Sequence, residues 1–226
     1  MCDEAALYVA VLVMFLLSRW SGGLVARFGA KRPLIIGPLI AALGFALFAL
    51  PGIGGSYWTT FFPAVLVLSL GMATSVAPLT TTVMGAVDAR HAGTASGINN
   101  AVSRVAGLLA IAVLGVLLIK TFNTQLDRRL DAIEIPPEAR QQVQQQRVEL
   151  AAIAVPETLN PEQRAAVQHA IQESFVAAFR LVMLLAAGLA AASALVARRM
   201  IDGEEVAQRA GSTPTVRQQR TKQQDW

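Results

Sequence analysis

The sequence predicts an all-α membrane protein, and three observations lead to that prediction. Of its 226 residues, 54% are hydrophobic and only 15% are charged, and the mean hydropathy is +0.49, values too apolar for an ordinary soluble domain. Five apolar stretches approach or reach the length of about 20 residues that a helix needs to cross a bilayer core of about 30 Å. Lys and Arg cluster at the ends of these stretches, as in multi-pass membrane proteins.

The first two predicted spans are short. The first lies near 5–20 and ends in an Arg-Trp pair suited to a membrane interface. The second lies near 34–50 and stops before a proline. Its small residues at Gly37 and Ala41 have the spacing that lets two helices approach closely.

The remaining three spans are separated by connections of unequal length. The third lies near 61–87 and carries no charge, but Pro78 inside it predicts a bend. The fourth lies near 101–119 and stops at Lys120. The fifth lies near 176–197 and is followed directly by a pair of arginines.

Basic residues predict the orientation of the spans, because cytoplasmic loops carry an excess of Lys and Arg. One side holds Arg19, Arg27, Lys31, Arg32, Arg90, Arg104, Arg198, Arg199, Arg209 and Arg217. The other side holds Lys120, Arg128, Arg129, Arg164 and Arg180. We therefore expect a multi-pass protein of the plasma (inner) membrane with its amino terminus outside and its carboxyl terminus in the cytoplasm. The expected partner of these charges is the lipid bilayer, and no nucleic acid is expected.

The connections between the spans also carry predictions. A short inner loop is expected at 88–97, and residues 121–173 form a long polar segment, predicted to be an extracytoplasmic helical loop. One helix is expected to start after Asn160 and to continue into the fifth span, and another to start near Pro137. The tail, 200–226, is polar and predicted to be a disordered cytoplasmic segment.

The residues that enzymes and metal sites require are sparse. The chain has a single cysteine, Cys2, and two histidines, His91 and His169, which fall on opposite predicted sides of the membrane. No base therefore lies near a candidate nucleophile such as Ser96. We predict no catalytic residue, no metal site and no cofactor. All fifteen Asp and Glu residues lie outside the predicted spans, so no span contains a proton carrier.

A Gly- and Arg-rich hinge joins the first two spans and carries the first family resemblance. Residues 24–34 read Leu-Val-Ala-Arg-Phe-Gly-Ala-Lys-Arg-Pro-Leu. With the two preceding glycines, the hinge resembles the loop signature of the major facilitator superfamily, Gly-x-Leu-Ala-Asp-Arg-Phe-Gly-Arg-Arg, and departs from it at Ala26. The resemblance implies a cytoplasmic gating loop formed by Gly22, Gly23, Arg27, Gly29, Lys31 and Arg32. The alternative is that its cations only determine topology.

A second motif opens the fourth span. It resembles the pattern Arg-x-Gly-x-Ala-Ser-Gly-x-x-Asn-x-x-Arg found in the drug:proton antiporter branch with fourteen spans. Arg90 and Arg104 each stand one place off that pattern. The other positions that carry the motif here are Gly93, Ser96, Gly97 and Asn100.

The resemblance implies a position in a larger fold. The five spans match the last five helices of the carboxyl-terminal bundle, so residues 1–199 would form most of that bundle, and an amino-terminal half would be missing. A truncated gene or fragment is the simplest interpretation. The intact parent would export small amphipathic or cationic substrates by proton antiport, with its coupling acids in the missing half.

Polar residues near the bend at Pro78 and at the start of the fourth span are candidates for lining a substrate path. They are Thr74, Ser75, Thr80, Thr81, Asn99 and Ser103. The alternative is that the hydroxyls bond back to their own helix and that the Asn99-Asn100 pair caps the fourth span. Two other functions stay open: a non-transporting truncated membrane protein or interaction module, and a half-transporter that needs a separate amino-terminal half.

Overall fold

The computed structural model describes residues 31–54, 57–85 and 87–200, and every regular element in them is helical. The α-helices of this part are α1 (Lys31–Phe48), α2 (Tyr57–Thr60), α3 (Phe62–Gly85), α4 (Ala92–Leu130), α5 (Pro137–Gln145) and α6 (Pro161–Met200). Short 3-10 turns lie at Ala89–His91 and Arg147–Ala152. The predicted all-α class is confirmed.

Within the described part of the chain, three helices are long and apolar enough to cross a membrane. They contain the segments Phe62–Thr80, Ala92–Leu130 and Pro161–Arg199. Helix α1 is apolar but shorter, with its apolar segment at Arg32–Phe48. The span expected near 5–20 lies before the first described residue, so the count of five spans stays a prediction.

Helix α4 is much longer than the span predicted within it. It begins at Ala92, so the inner connection is shorter than the loop expected at 88–97. It also continues past Lys120 to Leu130, through ten residues expected to belong to the long polar loop. The extension is stable because Phe122, Leu126 and Leu130 recur every four residues on one face, and that face is buried.

The buried end of α4 belongs to a helical cap, which we define as residues 118–179. Its core joins the end of α4, α5, the loop that follows and the first half of α6. The core residues are Phe122, Leu126, Leu130, Ala139, Val143, Ile153, Leu159, Val167, Ile171 and Ala178. A core of this kind resembles that of a soluble helical domain, with apolar side chains inside and charges outside.

Helix α6 starts where the sequence predicts. Pro161 is its first residue, and the Asn160 side-chain oxygen accepts a hydrogen bond of 2.8 Å from the backbone N–H of Gln163. The Gln163 side-chain oxygen accepts in return from the Asn160 N–H at 3.4 Å. This reciprocal pair is a capping box. The helix then runs without a break to Met200, as expected.

Contacts divide the chain into two compact units, and each has its own close packing of α1 on α3. In the unit that contains residues 31–41 and 69–102, Gly71 lies against Ala41, and a Cβ at Gly71 would lie 2.8 Å from the Ala41 Cα. In the unit that contains 42–68 and 103–189, a Cβ at Gly44 would lie 2.7 Å from the Leu68 backbone nitrogen. Both distances are too short for any side chain, so the backbones touch through glycine.

The small-residue face predicted for the second span is part of this packing. Gly37 contacts Ser75 of α3, and both Gly37 and Ala41 are buried. The spacing of these small residues therefore identified the face of α1 that packs on another helix.

Candidate functional site

The hinge motif lies at the edge of the described chain. Gly22, Gly23, Arg27 and Gly29 precede the first described residue. Lys31 is the first residue of α1, and Arg32 follows it as an exposed residue in the first turn. The structure thus places the last two basic positions of the motif at a helix start, and the gating role stays a prediction.

The second motif lies at and just before the start of α4. Arg90 is exposed in the 3-10 turn before the helix, and Ser96 is exposed in its second turn. The other four motif residues are spaced by four, three and four positions, which places them on one helix face. We call this face the motif stripe and define it as Gly93, Gly97, Asn100 and Arg104, continued by Gly107, Ile111 and Gly115 at the same spacing.

The glycines of the motif stripe have open space beside them among the described residues. A Cβ added at Gly93, Gly97, Gly107 or Gly115 would meet nothing within 4 Å. The apolar stretch of α4 has no buried residue at all, and Ile111 is 73% exposed. A helix that is apolar all round and carries glycines and an arginine on one face requires lipid, other helices or both around it.

The hydroxyl groups near Pro78 bond back to their own helix. Thr74 donates to the Leu70 carbonyl at 2.7 Å, and Ser75 donates to the Gly71 carbonyl at 2.8 Å. The third of these bonds joins the Thr80 hydroxyl to the carbonyl of Val76 at 3.1 Å. For these three residues the structure favours the local alternative over a path-lining role. The side chain of Thr81 is not among those described.

The two other path candidates lie inside α4 rather than at its start. Asn99 is half-buried and Ser103 is exposed. Because α4 begins at Ala92, the prediction that Asn99 and Asn100 cap the fourth span is wrong: both lie in the third turn of the helix. The Gly-Thr-Ala-Ser-Gly run before them has the composition of a loop, so the sequence did not predict that α4 begins ahead of it.

The cap contains ion pairs that were not predicted from the sequence. Arg129 pairs with Glu173, Arg140 with Asp131, and Arg147 with Asp127 through both carboxylate oxygens. These partners are 44, 9 and 20 positions apart, so they meet only because the chain folds back at α5. An ion pair can be predicted from sequence when opposite charges lie three or four positions apart on one helix. None of these three pairs has that spacing.

A surface cleft of about 470 Å³ lies beside the first of these pairs. It is lined by Arg129, His169 and Glu173 together with Ile133 and four alanines. The His169 Nδ1 lies 3.7 Å from the Glu173 carboxylate. Across the described ranges, no three His, Cys, Asp or Glu side chains come together as a possible metal site.

These helices, with an apolar and open α4, define a multi-pass helical membrane protein. Comparison with known proteins then shows what the chain is similar to. The family model of the Major Facilitator Superfamily matches residues 4–111, which include both motifs and make up just under half of the chain. Members of this superfamily are transporters and generally not enzymes.

Two drug-resistance proteins are among the relatives. The chain is 25% identical over 180 residues to the tetracenomycin C resistance and export protein of Streptomyces glaucescens, a match that covers 78% of this chain and 33% of the relative. It is 31% identical over 115 residues to the multidrug resistance protein Stp of Mycobacterium tuberculosis, covering 49% of this chain and 20% of Stp. The chain therefore spans a third or less of the length of these relatives.

Proposed function

We propose that this chain forms most of the carboxyl-terminal bundle of a small-molecule exporter of the fourteen-span type. In the full-length protein it would help to move small amphipathic or cationic compounds out of the cell in exchange for protons. Its amino terminus would lie outside and its carboxyl terminus in the cytoplasm. The open motif stripe of α4 is the observation that carries this proposal.

The composition of the stripe supports a protein neighbour rather than lipid alone. Glycines at Gly93, Gly97 and Gly107 leave room for a second helix backbone. Asn100 and Arg104 are expensive to expose to hydrocarbon, so in a membrane they favour a helix partner or a water-filled cavity. An additional helical bundle, such as the relatives' extra length could provide, would supply both.

In the proposed exporter the hinge would form a gate, and polar residues of α4 would line the substrate path. Lys31 and Arg32 would act with the four preceding hinge residues as a cytoplasmic gating loop. Asn99 and Ser103, which make no described side-chain hydrogen bond to their own helix, are better candidates for a polar path than the hydroxyls of α3.

Proton coupling is assigned to the rest of the full-length protein. The apolar segments of α3, α4 and α6 contain no Asp or Glu from Phe62 to Gly85, from Ala92 to Leu126 or from Leu181 to Met200. A carboxylate that binds and releases a proton within a span is the usual requirement for such coupling. This chain alone is therefore expected to show no drug-induced proton movement.

The proposal is tested by export from cells that make the protein from its native gene at full length. Gly97→Leu should abolish efflux of a fluorescent cationic dye, because the new side chain fills the stripe. Gly188→Leu is the matched control: a Cβ at Gly188 also meets no described residue within 4 Å, but Gly188 belongs to α6 and is not part of the stripe. Unchanged efflux in the Gly97 variant would contradict the proposal.

A second candidate function rests on the same open stripe. The chain could act as a half-transporter, or as a non-transporting interaction module, whose partner is a separate membrane protein. The size of the native product in membranes from its own cells separates the two. A product of about 24.0 kDa in a complex with another chain favours this candidate, and a substantially longer polypeptide favours the exporter.

A further inference from the structure

A cluster of aromatic side chains lies at the connection between α1 and α3. Trp58 packs on Phe62 with ring centroids 5.1 Å apart, and Tyr57 stacks on Phe61 at 6.4 Å. Phe61 in turn lies 6.3 Å from Phe48, at the end of α1. The Tyr57 and Trp58 rings, which each carry a polar atom, are partly exposed: Tyr57 is 45% and Trp58 is 48% exposed.

Arg180 of α6 reaches the same connection. Its Nη2 donates to the carbonyl of Leu50 at 3.3 Å and to that of Pro51 at 3.1 Å, just beyond the end of α1. Arg180 is exposed, and no carboxylate of the described residues lies within 4.0 Å of it. These residues belong to one compact unit, so a single surface combines two amphipathic rings with a cation that has no anionic partner in it.

The position of Arg180 along α6 indicates the depth at which it would lie in a membrane. Arg198 follows it eighteen residues later, and the helix between them is apolar. At about 1.5 Å per residue the two arginines are about 27 Å apart, close to the thickness of a hydrocarbon core of about 30 Å. This spacing fits a position of Arg180 at one membrane boundary, with the helical cap beyond it in water.

We propose that Tyr57, Trp58 and Arg180 form an interface anchor that binds the headgroup layer of a phospholipid bilayer. Indole and phenol rings favour this layer because one edge is apolar and the other forms hydrogen bonds. A lipid phosphate supplies the anion that Arg180 lacks, and Arg binds phosphate with the donors not used by the two carbonyls. The anchor fixes the depth of the α1–α3 connection and of α6 together.

The depth of Trp58 tests the proposal without any transport measurement, so its outcome is independent of the exporter proposal. Trp20→Phe and Trp226→Phe leave Trp58 as the single tryptophan of the 226-residue chain. The protein is reconstituted into phosphatidylcholine vesicles with nitroxide labels either at the headgroup or near the chain end. Headgroup labels should quench Trp58 more strongly. Quenching mainly by the chain-end label would overturn the proposal, as would quenching by neither lipid but by aqueous acrylamide.

The contribution of Arg180 is tested with a matched pair. Arg180→Ala removes the bonds to both carbonyls, and the Trp58 quenching profile should shift away from the headgroup label. Arg164→Ala removes a similar bond, from Nη2 to the Glu157 carbonyl at 3.0 Å, but within the cap, and should leave the profile unchanged. An unchanged profile in the Arg180 variant, or equal shifts in both, would show that Arg180 is not part of the anchor.

Discussion

Val143 and Val148 show how sharply the surroundings of one residue type differ within the helical cap. Val143 of α5 is fully buried in the core that α5 shares with the end of α4 and the first half of α6, whereas Val148 is 84% exposed in the following 3-10 turn. Only the first contributes apolar area to the core. The cap lies outside the apolar segments, so burial within it stabilises the fold as it does in a soluble domain.

Val143→Ala is therefore expected to destabilise the cap by about 2 kcal/mol, from lost burial and the cavity that remains. Val148→Ala removes the same atoms from an exposed position and should have an effect below about 0.5 kcal/mol. Thermal unfolding in detergent, followed by trypsin cleavage within 131–160, measures both. Equal effects would contradict the assignment of the cap core.

The capping residue of α6 gives a second prediction at this scale. Asn160→Ala removes the acceptor for the Gln163 N–H and should cost about 1 kcal/mol. Asn160→Ser should restore most of that loss, because a hydroxyl also accepts at this position. Asn99→Ala, inside α4, is the control. The readout is again thermal unfolding, and no loss in the Asn160 variant would exclude the capping box.

Single residues were predictable from the sequence where their partners are near in the chain. Asn160 has a local signature, since its partner is three positions away. The pair between Arg147 and Asp127 has none, because the two residues are 20 positions apart and meet only where the chain folds back at α5. Likewise, the Ser75 hydroxyl was assigned two alternative roles, and only the geometry shows its bond to Gly71.

At the scale of elements, the packing of α1 on α3 depends on glycine. Gly71→Leu should separate the two helices, because its side chain has no space beside Ala41, and should cost at least about 1–3 kcal/mol. Gly115→Leu on α4 meets open space and should leave stability nearly unchanged. Thermal unfolding of the two variants in the same detergent tests this. Equal stability would mean that the helices do not touch at Gly71.

The existence of the helices was predictable, and their ends were not. The apolar runs of α3 and α6 are long and continuous, which is a strong signal for a spanning helix. The start of α4 contains Gly93 and Gly97, residues that disfavour helices in water, and was therefore expected to be a loop. Its end is polar on one face, so it was assigned to a loop, although Phe122, Leu126 and Leu130 repeat with helical spacing.

At the scale of the whole molecule, we propose that α4 crosses the membrane and leaves the helical cap on the outer side. The apolar, open surface of α4 and the orientation predicted from the basic residues both support this arrangement. The predicted five spans require it, because a single crossing by α4 must separate the short connection at 87–91 from the cap. The stripe of α4 would then lie within the membrane, where a second bundle could pack on it.

Thiol labelling in intact cells measures on which side of the membrane each end of α4 lies. In a Cys2→Ser background, Asp88→Cys and Gln144→Cys place one thiol on each side of α4, both at exposed positions. An impermeant maleimide added outside should label the Gln144 variant at once and the Asp88 variant only after the membrane is permeabilised. Labelling of Asp88 alone would reverse the orientation, and equal labelling of both in intact cells would show that α4 does not cross the membrane.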